Sequence, residues 1–153
     1  MDKISLPLRV LLVEDKPNDA ELILRELRNA GFQPEWRRVD TEAEFSGSLD
    51  PDIDIILSDY ALPQFNGLRA LELLKDRGLE IPFVLVSANI GEETAVAAMR
   101  SGAADYLLKD RLARLGLAVE RALERKRLRD ERRRKGKESA APASGDHGIP
   151  RIA

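Results

Sequence analysis

The sequence contains no cysteine, and its one histidine, His147, is close to the C-terminus of 153 residues. Disulfide bonds, thiolate catalysis and cysteine-based metal sites are therefore excluded, and a catalytic pair of histidines or a zinc site built from several histidines is not available. No apolar run approaches the roughly 20 residues needed to cross a bilayer, and the N-terminus lacks a secretory apolar segment followed by a cleavage site. We therefore expect a cytoplasmic protein without a membrane partner.

Charged residues are plentiful but unevenly distributed along the chain. Residues 1–123 carry 15 Lys and Arg against 22 Asp and Glu, a net charge of -7, whereas residues 124–137 carry nine basic and three acidic residues, a net charge of +6. The acidic part argues against general nucleic-acid binding, and no helix-turn-helix pattern follows it, so we expect no DNA partner. Three regions are predicted: a folded domain at 1–123, a basic helical extension at 124–137 and a disordered tail at 138–153.

Strand and helix patterns alternate five times in the first region. Apolar or β-branched runs predict five strands, and the last helix is predicted to begin near Arg111. Continuous apolar strands separated by amphipathic helices indicate an α/β fold with a parallel sheet covered on both faces. With right-handed crossovers, this predicts a doubly wound, flavodoxin-like sheet of order 2-1-3-4-5 with an extended C-terminal helix. The predicted strands are Leu8–Val13, Glu35–Val39, Ile53–Leu57, Pro82–Val86 and Asp105–Leu108.

Polar side chains follow four of these strands directly. Glu14 and Asp15 follow the first strand and Asp59 the third, while Ser87 and Lys109 follow the fourth and fifth. Because parallel strands end at one edge of the sheet, these side chains should converge at the crevice expected between strands 1 and 3. Each residue alone is more typical of a turn, a helix cap or a surface charge. Together they predict one site.

Three carboxylates in one crevice repel one another, and a single lysine cannot balance them. A divalent cation with oxygen ligands, Mg²⁺ or Mn²⁺, would join them. Beside such a cation, Asp59 can attack phosphorus and form an acyl phosphate, while Lys109 and the Ser87 hydroxyl neutralise the phosphoryl oxygens. We therefore predict that Asp59 is a phosphoacceptor.

Four motifs, in this order, resemble those of the receiver domains of bacterial two-component response regulators. They are Val10–Asp15, Asp59–Gly67, Val84–Ala88 and Gly102–Lys109, and the resemblance covers about residues 6–125. The chain resembles the chemotaxis-regulator-like form of these domains. It departs from the family at one position, because the family usually has Pro after the lysine, often with a cis peptide bond. Here Asp110 follows, as in a related Lys-Asp subgroup. Either a trans bond with a different loop or a cis bond held by packing is expected.

The resemblance implies a role for each matched position. Asp15, Asp59 and the backbone carbonyl of Ala61 would bind Mg²⁺ directly, and Glu14 directly or through water. Ser87 and Lys109 would contact the phosphoryl oxygens. The aromatic switch would be Tyr106, which moves inward when Ser87 is drawn toward the phosphoryl group.

The resemblance also implies a phosphoprotein of signal transduction. The expected function is that of a single-domain response regulator or phosphorelay intermediate that receives its phosphoryl group from a sensor histidine kinase or phosphotransfer protein. It would signal by protein–protein contact and would not be an enzyme beyond its own phosphorylation and dephosphorylation. The alternative is a receiver-like binding scaffold that uses no phosphate. A hydrolase of the haloacid dehalogenase type is disfavoured, because that chemistry needs an Asp where Ala61 stands.

Three interpretations of the basic extension stay open. Residues 120–135 contain no Gly or Pro and are nearly all good helix formers, so the last helix should continue past the domain. The extension is interpreted as a solvated, fraying helix, as a dimerising helix or short coiled coil that forms a homodimer, or as a segment that binds an acidic partner, RNA or a membrane surface. Repulsion among Arg132, Arg133, Arg134 and Lys135 weakens the dimer interpretation.

Overall fold

The structure, a computed structural model, describes residues 5–89 and 91–140, with side chains through residue 136. The chain divides into two compact units, of which the first ends at Leu123 and the second begins at Glu124. None of the helices in the described residues is long and apolar enough to cross a membrane.

Strands and helices alternate throughout the first unit. The five strands form one parallel sheet of order 2-1-3-4-5, so the predicted fold class and strand order are confirmed. A 3-10 turn at Lys109–Arg114 separates the last strand from the last helix. The strands are β1 Leu6–Val13, β2 Phe32–Val39, β3 Ile55–Ser58, β4 Phe83–Ser87 and β5 Asp105–Leu108, and the helices are α1 Pro17–Asn29, α2 Glu42–Ser48, α3 Gly67–Asp76, α4 Glu92–Arg100 and α5 Leu115–Ala140.

Side-chain caps determine where two of the helices begin. Thr41 Oγ1 accepts a hydrogen bond from the Glu44 N–H (3.1 Å), and Asn66 Oδ1 accepts one from the Arg69 N–H (2.9 Å). Each cap satisfies a backbone donor that the helix itself leaves unpaired. The Asn66 cap matters for the site, because it begins α3 shortly after Asp59 in the chain.

The sheet is covered by apolar side chains on both faces. Along β1, Leu8, Val10 and Leu12 belong to the cluster that includes α1 and the first turns of α5, while Leu11 and Val13 belong to the cluster that includes α2 and α3. Successive side chains of a strand point to opposite faces, so one apolar run supplies both layers. Polar side chains can therefore gather only where the strands end.

Several boundaries differ from those expected. Strand β2 begins at Phe32 and includes Pro34, which an edge strand tolerates because one side of its backbone has no partner strand. The predicted start of the last helix near Arg111 is wrong: Arg111 has non-helical angles (φ -131°, ψ 41°), and the α-helix begins at Leu115. Leu115 is fully buried, so the chain turns before the helix in a way that brings this side chain into the core.

The peptide bond between Lys109 and Asp110 is trans, and no cis peptide bond occurs in the part of the chain that the structure describes. Of the two geometries expected there, the structure has the trans bond with a different loop, the 3-10 turn. Helix α5 continues through Ala140, into the segment predicted to be a disordered tail. Residues 141–153, with His147, lie outside the described residues, and the predicted domain boundaries stay a prediction.

Candidate functional site

The backbone of β1 carries the first acidic residues to the carboxyl edge of the sheet. The Glu14 N–H donates to the Val39 carbonyl of β2 (2.9 Å), and the Asp59 N–H donates to the Val13 carbonyl of β1 (2.8 Å). The strand hydrogen bonds thus continue one residue beyond each strand. This places Glu14 and Asp59 side by side in neighbouring strands, at the crevice that the strand order predicts.

Glu14, Asp15 and Asp59, the carboxylate triad, each offer an oxygen to one small region. These oxygens all lie within 4.8 Å of one another. Glu14 and Asp59 are buried, with 1% and 7% exposure, and Asp15 is partly exposed. Several carboxylate oxygens at such distances, with one side open to water, suit Mg²⁺, which binds a few carboxylates and keeps some of its water. The donor set therefore fits a hard divalent cation.

Lys109 supplies positive charge to the carboxylate triad. Its Nζ lies 2.8 Å from Glu14 Oε1, 2.9 Å from Asp59 Oδ2 and 2.8 Å from Asp19 Oδ2. Burial by itself would lower the pKa of the ammonium group, but the contacts with Asp19, Glu14 and Asp59 outweigh it and raise this pKa. Lys109 therefore stays positively charged at neutral pH.

The carboxyl group of Glu14 is held in an unfavourable environment. Burial raises its pKa, and the contacts with Lys109 and with the Lys16 N–H offset only part of that effect. Glu14 Oε2 accepts a hydrogen bond from this N–H (3.1 Å), whereas Oε1 forms an ion pair with Lys109 that is not aligned as a hydrogen bond. A buried carboxylate oxygen without a hydrogen bond is a second feature that suits a cation ligand.

The segment after Asp59 packs closely against the start of α3. The Ala61 N–H donates to Asp59 Oδ1 (3.3 Å), and the Gly67 N–H donates to the Tyr60 carbonyl (2.8 Å). A side chain at Gly67 would have its Cβ 2.9 Å from the Asp59 carbonyl oxygen and 2.5 Å from Leu85 Cδ1. The absence of a side chain at Gly67 is what permits this approach of two backbones.

The two predicted switch residues lie on β4 and β5. Ser87 ends β4 and is buried, and its Oγ donates a long hydrogen bond of 3.4 Å to the Asn89 carbonyl. Tyr106, on β5, is 40% exposed and lines a groove of about 410 Å³ with Val96 and Met99 of α4. In this conformation the ring of Tyr106 is therefore an outward-facing group.

Asp19 was not among the site residues predicted from the sequence. The structure places its Oδ2 against Lys109. The sequence offered one signal that Asp19 belongs to the site, which is its position in the first turn of α1, the helix that begins shortly after Glu14 and Asp15. That signal indicates proximity to the crevice but not the partner, which is 90 positions further along the chain.

Comparison with known proteins gives consistent matches. The family model described as "Response regulator receiver domain" matches residues 10–120. The regulatory protein AtoC of Escherichia coli is 31% identical over 80% of this chain and 27% of its own length. The phosphate regulon transcriptional regulatory protein PhoB of Klebsiella pneumoniae is 35% identical over 66% of this chain and 44% of its own length. The chain thus spans less than half the length of these relatives.

Solved structures match over more of their own length. The signal receiver domain of a protein described as a Luxo repressor, from Vibrio parahaemolyticus, has a TM-score of 0.72 and 26% sequence identity. The match covers 82% of this chain and 96% of that one. The likeness therefore extends over nearly the whole of an isolated domain.

Proposed function

The chain belongs to the response regulator receiver domain family, and from that premise we propose that it accepts a phosphoryl group on Asp59 from a sensor histidine kinase or a phosphotransfer protein. Receiver domains are signalling domains of two-component systems. The observation that carries the proposal is the position of Asp59: a buried carboxylate within 4.8 Å of the oxygens of Glu14 and Asp15, with Lys109 Nζ at 2.9 Å.

The transfer needs a nucleophile and neutralisation of charge. A carboxylate oxygen of Asp59 attacks the phosphorus atom, so that an O–P bond forms as the P–N bond to the donor histidine breaks. The bonding electron pair returns to the histidine nitrogen, and the product is an acyl phosphate. Lys109 is close enough to bind a phosphoryl oxygen, because its amine already contacts Asp59. Ser87 is assigned the contact with a second oxygen.

A divalent cation, Mg²⁺ or Mn²⁺, would be held by the carboxylate triad and the Ala61 carbonyl, and when bound it would neutralise charge on the transferred group. Lys109 contacts the carboxylates of Glu14, Asp19 and Asp59, and Arg38 donates to the Glu14 carbonyl (3.2 Å).

Output through protein–protein contact is the second part of the proposal. Ser87 and Tyr106 are proposed to couple the phosphoryl group to the surface at α4 and β5. Exposed Val96, Met99 and Tyr106 give that surface apolar area for a partner. A phosphoryl oxygen that binds Ser87 would compete with its long hydrogen bond to Asn89, and the freed space would let the Tyr106 ring move inward.

The experiment is phosphorylation of the full chain with acetyl phosphate and Mg²⁺, followed by intact mass measurement. Wild type should gain the mass of one phosphoryl group, and Asp59→Asn should gain none. Asp76→Asn is the matched control, because Asp76 is an exposed aspartate at the end of α3, and it should behave as wild type. Equal labelling of Asp59→Asn and wild type would contradict the proposal. Absence of labelling in all three proteins, with no response to Mg²⁺, would favour the phosphate-independent scaffold.

A further inference from the structure

A carboxylate outside the carboxylate triad also holds the lysine of the site. Lys109 Nζ donates a 2.8 Å hydrogen bond to Asp19 Oδ2. Asp19 lies in the first turn of α1, and it is not one of the three side chains whose oxygens gather within 4.8 Å. The contact therefore joins α1 to the end of β5 without using a predicted cation ligand.

The amine of Lys109 lies among three carboxylates. Lys109 Nζ donates hydrogen bonds to Asp19 and Asp59 and forms an ion pair with Glu14, and all three oxygens lie within 2.9 Å. Two of these partners, Glu14 and Asp59, are assigned above to the cation and the phosphoryl group. Once they bind such ligands, their contacts with Lys109 weaken, and Asp19 is the partner that stays available.

We propose that Asp19 is the positioning residue of Lys109, which holds the amine over the carboxylate triad while Glu14 and Asp59 bind a cation or a phosphoryl group. This inference rests on the proposed function. The lysine side chain is a flexible four-carbon stem with a strongly hydrated charge, so an anchor on α1 limits where Nζ can go. An amine that is already held in place before phosphoryl transfer increases the rate of that reaction, because it need not be oriented during the reaction.

A purely structural role for Asp19 makes different predictions. An acidic residue in the first turn stabilises a helix through its dipole, and this effect does not depend on Lys109. It would lower the stability of an Asp19→Asn protein equally whether or not Lys109 is present. Positioning, in contrast, disappears when the positioned group is removed, and a double-mutant cycle measures that dependence.

The experiment compares the full chain with Asp19→Asn, Lys109→Gln and the double variant. The rate of phosphorylation by acetyl phosphate at saturating Mg²⁺ is the first readout, and the ¹⁵N signal of the Lys109 ammonium group at saturating Mg²⁺, without acetyl phosphate, is the second. Asp110→Asn is the matched control, since it removes an exposed negative charge next to Lys109 in the chain. Asp19→Asn should slow phosphorylation by about tenfold, which corresponds to loss of one charge-assisted hydrogen bond.

Positioning predicts that Asp19→Asn has no further effect in the Lys109→Gln protein, that it broadens or removes the Lys109 signal, and that Asp110→Asn changes neither. Equal effects of Asp19→Asn in the two backgrounds, or a wild-type rate with an intact Lys109 signal, would overturn the inference. If the wild type itself accepts no phosphoryl group, the proposed function fails, and the Lys109 signal measured with Mg²⁺ alone decides. Its loss in Asp19→Asn supports positioning, and its retention refutes it.

Discussion

Replacing Gly67 with alanine tests how tightly the segment carrying Asp59 is held against α3. The new Cβ would lie 2.5 Å from Leu85 Cδ1 and 2.9 Å from the carbonyl oxygen of Asp59. Leu85 is buried in the central part of the sheet and the carbonyl belongs to the backbone, so neither can move at little cost. Overpacking of this kind costs about 1–3 kcal/mol. For a chain of this size, each kcal/mol lowers Tm by roughly 2–4 °C, so a decrease of about 2–12 °C is expected.

Gly47→Ala is the matched control for this prediction. Gly47 lies in α2, and a Cβ there would have nothing within 4 Å. Alanine in a helix is favoured over glycine by roughly 0.5–1 kcal/mol, so this variant should melt at the wild-type temperature or slightly above it. Thermal unfolding followed by circular dichroism measures both. If Gly67→Ala melted together with Gly47→Ala, the close backbone approach described here would be refuted.

Two further substitutions address the electrostatics of the site. Glu14→Gln should stabilise the metal-free protein near pH 7, because burial raises the pKa of Glu14 above its ordinary value of 4.5 and its ionised form is unfavourable. A group with a raised pKa contributes stability below about pH 4.5, and this stability is lost as the pH rises through the folded-state pKa. The stability advantage of Glu14→Gln over wild type should therefore shrink toward pH 4. Urea unfolding at pH 7 and pH 4 measures this, and an equal advantage at both pH values would contradict it. The same variant should bind Mg²⁺ more weakly, as measured by calorimetry. Lys109→Gln should slow phosphorylation by roughly 100-fold. It should also increase the stabilisation of the fold by Mg²⁺, because the carboxylates then lack the positive charge of the amine. An unchanged phosphorylation rate in a quenched-flow or mass assay would contradict the role of Lys109.

Much of the fold followed from the sequence because its signals are local. A parallel sheet buried on both faces needs continuous apolar strands, and the runs around Leu11, Ile56 and Leu85 are of that kind. Sheet order then followed from the crossover rule and the doubly wound pattern. The caps formed by Thr41 and Asn66 are local features of the same kind, since a cap and its backbone donor are three residues apart.

The segment after β5 was not predictable in the same way. Arg111 to Arg114 have helical propensity, and nothing in their composition indicates a break. The break arises from tertiary packing, because Leu115 is fully buried while Arg111 adopts non-helical angles. Propensity is a weak influence that packing overrides when the two conflict.

The site was predictable to the extent that strand ends determine it. Glu14 and Asp59 follow adjacent strands, so the fold alone brings them together. Asp19 projects from a helix, and its contact depends on the length and direction of the Lys109 side chain, which no pattern in the sequence encodes. Residues that follow strands are thus more predictable here than residues that reach the site from helices.

The most direct test of the central claim is to locate the phosphoryl group in the chain. After phosphorylation with Mg²⁺ present, hydride reduction of the acyl phosphate followed by peptide mapping identifies the modified side chain. We predict modification at Asp59 alone. Modification of Asp15, Asp19 or Asp54 with Asp59 left unmodified would contradict it.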